Sequence, residues 1–194
     1  MAEKLFSENG FDGTSVRNIA KAADINVAMI SYYFGSKEKL LGALLLHRTS
    51  DFRLLAESVL AKNTSHLDRL DALVILVIKR IHSNRRIYKI IYSEFSNPSR
   101  NSDFENYKKQ KLKNYKIIED FVRSGQEAGV FTKNVEISLI YPTIFGTYFH
   151  FYYNKPFYAA IHNLSEDFSL DEFVHKVLTP HLQKTIKALL TYEI

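Results

Sequence analysis

Seven histidines, a cluster of lysines and a dense set of tyrosines and phenylalanines are the residues of this chain with chemistry to offer. The histidines are His47, His66, His82, His150, His162, His175 and His181. None forms a His-x-x-x-His pair or an HExxH pattern, the spacings that set two zinc ligands on one helix face. The chain has no cysteine, so thiol catalysis, cysteine zinc sites and disulfides are all excluded. A Gly-x-Ser-x-Gly elbow, a phosphate-cradling Walker loop and a dinucleotide fingerprint are absent too. His47 and Asp51 lie one helical turn apart, a spacing typical of a surface contact. These residues point away from catalysis: the expectation is no enzyme, no cofactor and no metal.

The chemistry that remains is binding chemistry. Ser15–Tyr33 has the layout of a helix-turn-helix. Its first helix ends in the small residues Ala20, Ala22 and Ala23, which let a second helix cross closely. Ile25 is expected to plug the space between the helices, and Ile30 to face inward. Val27, Ala28, Met29, Ser31, Tyr32 and Tyr33 are then left largely outward. A short helix with small outward residues near its N-terminus can enter a DNA major groove. Tyr32 and Tyr33 bring hydroxyls for phosphates and flat rings for sugars or thymine methyls. Lys37, at the start of the following helix, adds a charge to free backbone N–H groups, a combination suited to clamping a phosphate.

These side chains must be positioned by helices. The chain has 194 residues, 46% hydrophobic and 24% charged, with four prolines and seven glycines. That is a globular composition, and its sparse punctuation suits long helices over many short strands. No apolar run is long enough to cross a bilayer and no secretory leader is visible, so a cytoplasmic location and no membrane partner are expected. Short helices are predicted over residues 2–9, from Thr14 or Ser15 to Ala23, and from Val27 to about Phe34. Gly10 and Gly35 stop two of them, and Asn26 and Ser36 cap the next ones. Longer helices are predicted at about 37–60, 66–82, 85–96, 102–128, 135–153 and 169–192, with loops at 63–65, 97–101, 129–134 and 154–169. Pro142 and Pro180 are expected to kink or loosen their helices.

The run AEKLFSENGFDGTSVRNIAKAADINVAMISYYFGSKEKLL resembles the DNA-binding domain of the TetR family of transcriptional repressors. The matching elements are the LF…GF turn, the TSVRNIAKAA helix, the YYF ending and the SKEKLL start of the next helix. The resemblance covers Ala2–Leu45. It implies an all-α protein: an N-terminal three-helix helix-turn-helix DNA-binding domain at residues 1–45, and a C-terminal helical effector-binding and dimerisation domain at 46–194. It adds Ser15 and Arg17 as DNA contacts beside Val27, Ala28, Met29, Ser31, Tyr32, Tyr33 and Lys37. It implies a homodimer whose interface is built from the 135–153 and 169–192 helices, with Gly146 permitting close approach. Three positions depart from the family pattern: Asp24 replaces the turn glycine, Val27 a common lysine, and Ser31 an early tyrosine. Asp tolerates a left-handed backbone better than most residues, so the turn is expected to survive.

Aromatic residues dominate the rest of the chain. Tyr141, Phe145, Tyr148, Phe149 and Tyr152 share one helix face, and Tyr88, Tyr92 and Phe121 recur upstream. Such residues usually pack a core, and they can equally wall a pocket with polar tips. Tyr88, Tyr92, Phe121, Phe145 and Phe149 are the candidate site for an aromatic or lipophilic effector. Residues 1–48 hold six basic and five acidic residues, a net +1. A second basic group, Lys108, Lys109, Lys111, Lys113 and Lys116 with Arg85, Arg86 and Lys89, reads as a solvated face. The function expected is a ligand-responsive transcriptional regulator, a repressor released from a palindromic double-stranded DNA operator by a small-molecule effector. The alternative is a helical carrier or enzyme on the same fold without DNA binding.

Overall fold

The computed structural model describes residues 1–95, 104–164 and 169–192. All regular structure among them is helical. The chain packs as two units, residues 1–54 with 82–116 and residues 55–81 with 117–194.

The first unit opens with four helices: α1 (Ala2–Asn9), α2 (Val16–Ala23), α3 (Val27–Phe34) and α4 (Lys37–Thr49). Their ends follow local chemistry. The Ser15 hydroxyl accepts the Asn18 N–H at 3.1 Å, Asn26 Oδ1 accepts Ala28 N–H at 2.8 Å, and the Ser36 hydroxyl accepts Lys39 N–H at 3.2 Å. Each satisfies an orphan donor of a helix start. Ser15, not Thr14, caps α2; Thr14 is 1% exposed, and its hydroxyl donates to Leu5 O and Gly10 O. Gly10 and Gly35 stop α1 and α3 with φ of +73° and +80°. Asp24 ends α2 at φ 54°, ψ 46°, with its N–H reaching back to Ala20 O and Lys21 O. The helix-turn-helix therefore turns on a non-glycine left-handed residue.

Helix α7 (Arg85–Phe95) and the start of α8 (Glu105–Glu127) complete this unit. Ile87, Ile90, Ile91, Phe104 and Tyr107 join Phe6, Phe11, Ile19, Ile30, Leu41 and Leu45 in one core. Phe6 stacks on Phe11 at 5.7 Å between centroids. Lys89 Nζ donates to Ser7 O at 2.8 Å, meeting a carbonyl of the last turn of α1.

The second unit contains α5 (Phe52–Leu60) from residue 55 onward, most of α6 (His66–Ser83), the end of α8, α9 (Ile140–Tyr153), α10 (Lys155–Ile161), α11 (Leu170–Phe173) and α12 (Thr179–Thr191). The apolar stripe of α6 is buried, with Leu70, Leu73, Val74, Val77, Ile78 and Ile81 inside. Lys187 Nζ meets Asp71 Oδ2 at 2.6 Å. Four expectations are corrected. The 37–60 helix is broken between α4 and α5, where the Ser50 hydroxyl bonds His47 O. The 154–169 segment holds a helix, α10, whose start takes Pro156 in its first turn, a position that loses no helical hydrogen bond. Pro142 does not kink α9, because a 3₁₀ turn at Ile137–Leu139 leads into the helix and leaves Pro142 in its first turn. Ile25 is 42% exposed; the residues of α2 and α3 that are buried in the shared core are Ile19, Ala20 and Ile30. Pro180 does disturb its helix: residues Val174–Leu178 form a π turn directly before it, closed by the Thr179 hydroxyl on Val174 O at 2.7 Å. The loop expected at 97–101 lies outside the described residues, as does part of 154–169.

Holding a β-carbon in the left-handed region costs about 1–2 kcal/mol, part of which glycine returns as unfolded-state entropy. Asp24→Gly is therefore expected to raise unfolding stability by about 0.5–1 kcal/mol in urea denaturation.

Candidate nucleic-acid interface and apolar cavity

Helix α3 gives a single side chain to the core. Ile30 is 4% exposed, whereas Tyr32 is 83% and Tyr33 68% exposed. Val27, Ala28, Met29 and Ser31 are also exposed. The two tyrosine rings meet edge to face at 5.1 Å. Ser15 and Arg17 are exposed at the start of α2. All nine residues expected to meet DNA thus lie in one unit, eight of them on its surface.

Lys37 is the exception, being half-buried. Its ammonium donates to Phe11 O at 2.9 Å and Thr14 O at 3.0 Å, and lies 4.1 Å from the centroid of the Phe11 ring. An ammonium has three donors, so one N–H is left for a phosphate. Two donors and the ring contact tie the start of α4 to the turn between α1 and α2. Sequence reasoning missed this tie; its signal was the aromatic and the two turn carbonyls ahead of the helix, which only tertiary structure brings to the lysine.

The candidate effector residues do not gather in one place. In the second unit a small, wholly apolar cavity is lined by Leu70, Leu73, Val77, Ile118, Phe121 and Ile144, among others. Of the five candidates it includes Phe121 alone. Phe145 and Phe149 belong to the aromatic face of α9, where the Phe149 ring is buried and Phe145 half-buried. Tyr88 and Tyr92 sit in the first unit near Tyr107, whose phenol is pushed up by burial and by those two neighbours. Tyr141 also borders the cavity, and no polar atom is exposed to it. Among the described residues no group of three His, Asp or Glu is placed to hold a metal, and no helix is long and apolar enough to cross a membrane.

A capped, mostly exposed second helix held across a tight turn is the layout of a helix-turn-helix. Residues 1–44 match the family model of the bacterial regulatory proteins, tetR family. The chain is 38% identical over 101 residues to the probable HTH-type transcriptional regulator YttP of Bacillus subtilis, covering 48% of this chain and 46% of that protein. It therefore spans about half the length of that relative. It is 27% identical over 144 residues to the HTH-type transcriptional repressor KstR2 of Mycobacterium tuberculosis, covering 73% and 70%. In fold it is similar to the transcriptional regulator FadR of Bacillus subtilis in complex with stearoyl-CoA, with TM-score 0.67, 19% identity, and 100% and 95% of the two chains covered. Over residues 1–44 the chain is therefore similar to the tetR family of bacterial regulatory proteins, and its fold as a whole is like that of solved TetR-family regulators. These relatives are transcriptional regulators.

The position of Lys37 gives a direct test. Lys37→Met keeps the stem and removes the donors, leaving Thr14 O without its partner and Phe11 O with the Thr14 N–H alone at 3.2 Å. Unsatisfied groups of this kind cost about 1–3 kcal/mol, and a loss of that size is expected in urea unfolding. A variant as stable as wild type would contradict the tie.

Proposed function

We propose that this chain is a ligand-responsive, DNA-binding transcriptional regulator. It acts as a homodimeric repressor released from a palindromic operator by a small-molecule effector. In this reading residues 1–45 are the DNA-binding domain, and 46–194 bind effector and dimerise. The observation that carries it is α3, a helix capped at both ends that keeps one residue inside and offers its remaining face to solvent. Val27, Ala28, Met29 and Ser31 meet base edges. Ser15 and Arg17 meet the DNA from the start of α2, and Tyr32, Tyr33 and the remaining N–H of Lys37 hold the sugar-phosphate backbone. The relatives being transcriptional regulators supports regulation over catalysis, and a cytoplasmic location follows from the operator being there.

The dimer is supported by what α9 and α12 leave uncovered. Most of the apolar stripe of the last helices is spent inside the chain: Phe173, Val174, Leu178, Leu182 and Ile186 are buried. Val177 and Leu189 stay exposed, as do Pro142, Gly146 and Tyr153 on α9. A β-carbon added at Gly146 would meet nothing within 4 Å in its own chain, so the small residue there suits an approaching second subunit.

The effector is lipophilic. The walls of the cavity are aliphatic and aromatic, and such walls recognise apolar bulk. One similar structure holds stearoyl-CoA and another is of a ketosteroid transcriptional regulator, two ligand classes of that chemistry. The cavity is small, so an effector would have to open it. In doing so it would favour the state that accommodates it, by its differential affinity for the two.

Selection from a random duplex library is expected to enrich a palindrome whose half-sites lie about 34 Å apart. Tyr32→Ala with Tyr33→Ala removes two exposed rings. It should leave the melting temperature unchanged and weaken retention by at least about tenfold. A wild-type protein that enriches no sequence would favour the carrier or enzyme. For the effector, a long-chain acyl-CoA or a steroid at about 100 times its Kd should stabilise the fold by about 2.7 kcal/mol and release the operator. No thermal shift with either series would overturn the lipophilic assignment.

A further inference from the structure

The charge of this chain is divided between its two units. Residues 1–54 and 82–116 carry sixteen basic and nine acidic residues, a net +7; residues 55–81 and 117–194 carry ten and twelve, a net −2. The helix-turn-helix is not the source, since residues 1–48 contribute only +1. The excess comes from 82–116, with nine basic and three acidic residues. The basic group expected to be a separate solvated face therefore belongs to the same unit as the recognition helix. It is joined to it by a shared core, since Phe104 and Tyr107 at the start of α8 are buried with Phe6, Phe11 and Ile30.

On α7 two cations are already committed: Lys89 to Ser7 O and Arg85 to His82 O at 2.7 Å. On α8 they are arrayed outward. Lys109, Lys113 and Lys116 follow at i, i+4 and i+7 on the side opposite Tyr107, and all three are exposed. Lys111 is exposed beside them, and Lys108 is paired with Glu105 at 3.3 Å. Between Glu105 and Glu119 there are five lysines and no acidic residue. Like charges at i, i+4 destabilise a helix, so this stretch carries a repulsion that alternating signs would have removed. Among the described residues Lys109, Lys111 and Lys113 form no ion pair. In the second unit, by contrast, Lys187, Lys176 and Arg123 meet Asp71, Glu172 and Glu119.

We propose that the lysine face of α8, centred on Lys109, Lys113 and Lys116, is a second DNA-backbone surface that binds phosphates beyond those next to the recognition helix. It relieves its own repulsion on the polyanion and supplies the sequence-independent attraction that the helix-turn-helix lacks. The assignment rests on the DNA-binding reading above.

The test compares wild type with Lys109→Gln/Lys113→Gln/Lys116→Gln on the selected operator, in a duplex trimmed to the two half-sites and in one with long flanks. A control, Lys62→Gln/Lys133→Gln/Lys184→Gln, makes the same net-charge change on exposed residues of the second unit. On the long duplex the slope of log affinity against log salt should be shallower for the α8 variant by about 2.7, close to 0.9 per phosphate. Between 50 and 200 mM salt, wild type should then lose roughly 40-fold more affinity than the variant. On the trimmed duplex the two should converge, and the control should match wild type on both. Equal slopes for wild type and the α8 variant on the long duplex overturn the proposal. So does a control that shifts as far as the variant, or a variant that keeps its DNA slope and loses only binding to phosphatidylserine vesicles. A wild-type protein that retains no operator overturns the DNA-binding reading instead, and is distinguishable from each of these.

Discussion

The burial of Ile30 in the core that also holds Ile19 and Ala20 is the constraint on which the position of every outward residue of α3 depends. A helix of eight residues is too short to be stable by itself. With one side chain inside, it also has little apolar area with which to hold its place. The remaining restraint comes from its ends: the Asn26 cap, the Gly35 stop and the left-handed turn at Asp24. All three act on the ends of the helix backbone, and they fix direction more than they add stability. The outward face is thereby free to be chosen for what it meets.

Around this short helix the first unit is held by polar contacts that reach across helices. Thr14, fully buried, binds two carbonyls of α1 and its end. Lys37 binds two carbonyls of the following turn and covers the Phe11 ring, which stacks in turn on Phe6. Lys89 binds the last turn of α1. Most of these donors meet carbonyls at or just beyond a helix end, where the helical ladder runs out. A cluster of short helices has many such ends, and side-chain donors do there what longer ladders do elsewhere.

Much of this was legible in the residues. Ser15, Asn26, Ser36, Gly10 and Gly35 announce their roles locally, because capping is decided within three or four positions. Asp24 could be read for the same reason. What could not be read is what each face turns toward. The stripe of the last helices looks the same whether it faces a neighbour in the chain or a second subunit, and in the structure most of it faces inward. The aromatic residues at 88, 92, 121, 145 and 149 share a type and no location, since period gives a face and not its destination. Helix α10 was hidden by Asn154 and Pro156, which read as loop residues although proline at a helix start is favourable. The role of Lys37 depends on residues more than twenty positions away.

The π turn at Val174–Leu178 has a consequence for the phase of the final helix. Val174, Leu178, Leu182, Ile186 and Leu190 recur every four residues and are all buried. In a helix of 3.6 residues per turn a four-residue repeat drifts by about 40° at each step. A wider turn at the start absorbs part of that drift, so the inward line of α12 begins already rotated toward the core. The widened turn sets which side of α12 is left outside, and with it where Leu189 and His181 come to the surface. A chain one residue shorter at that turn would keep its helix and present a different edge.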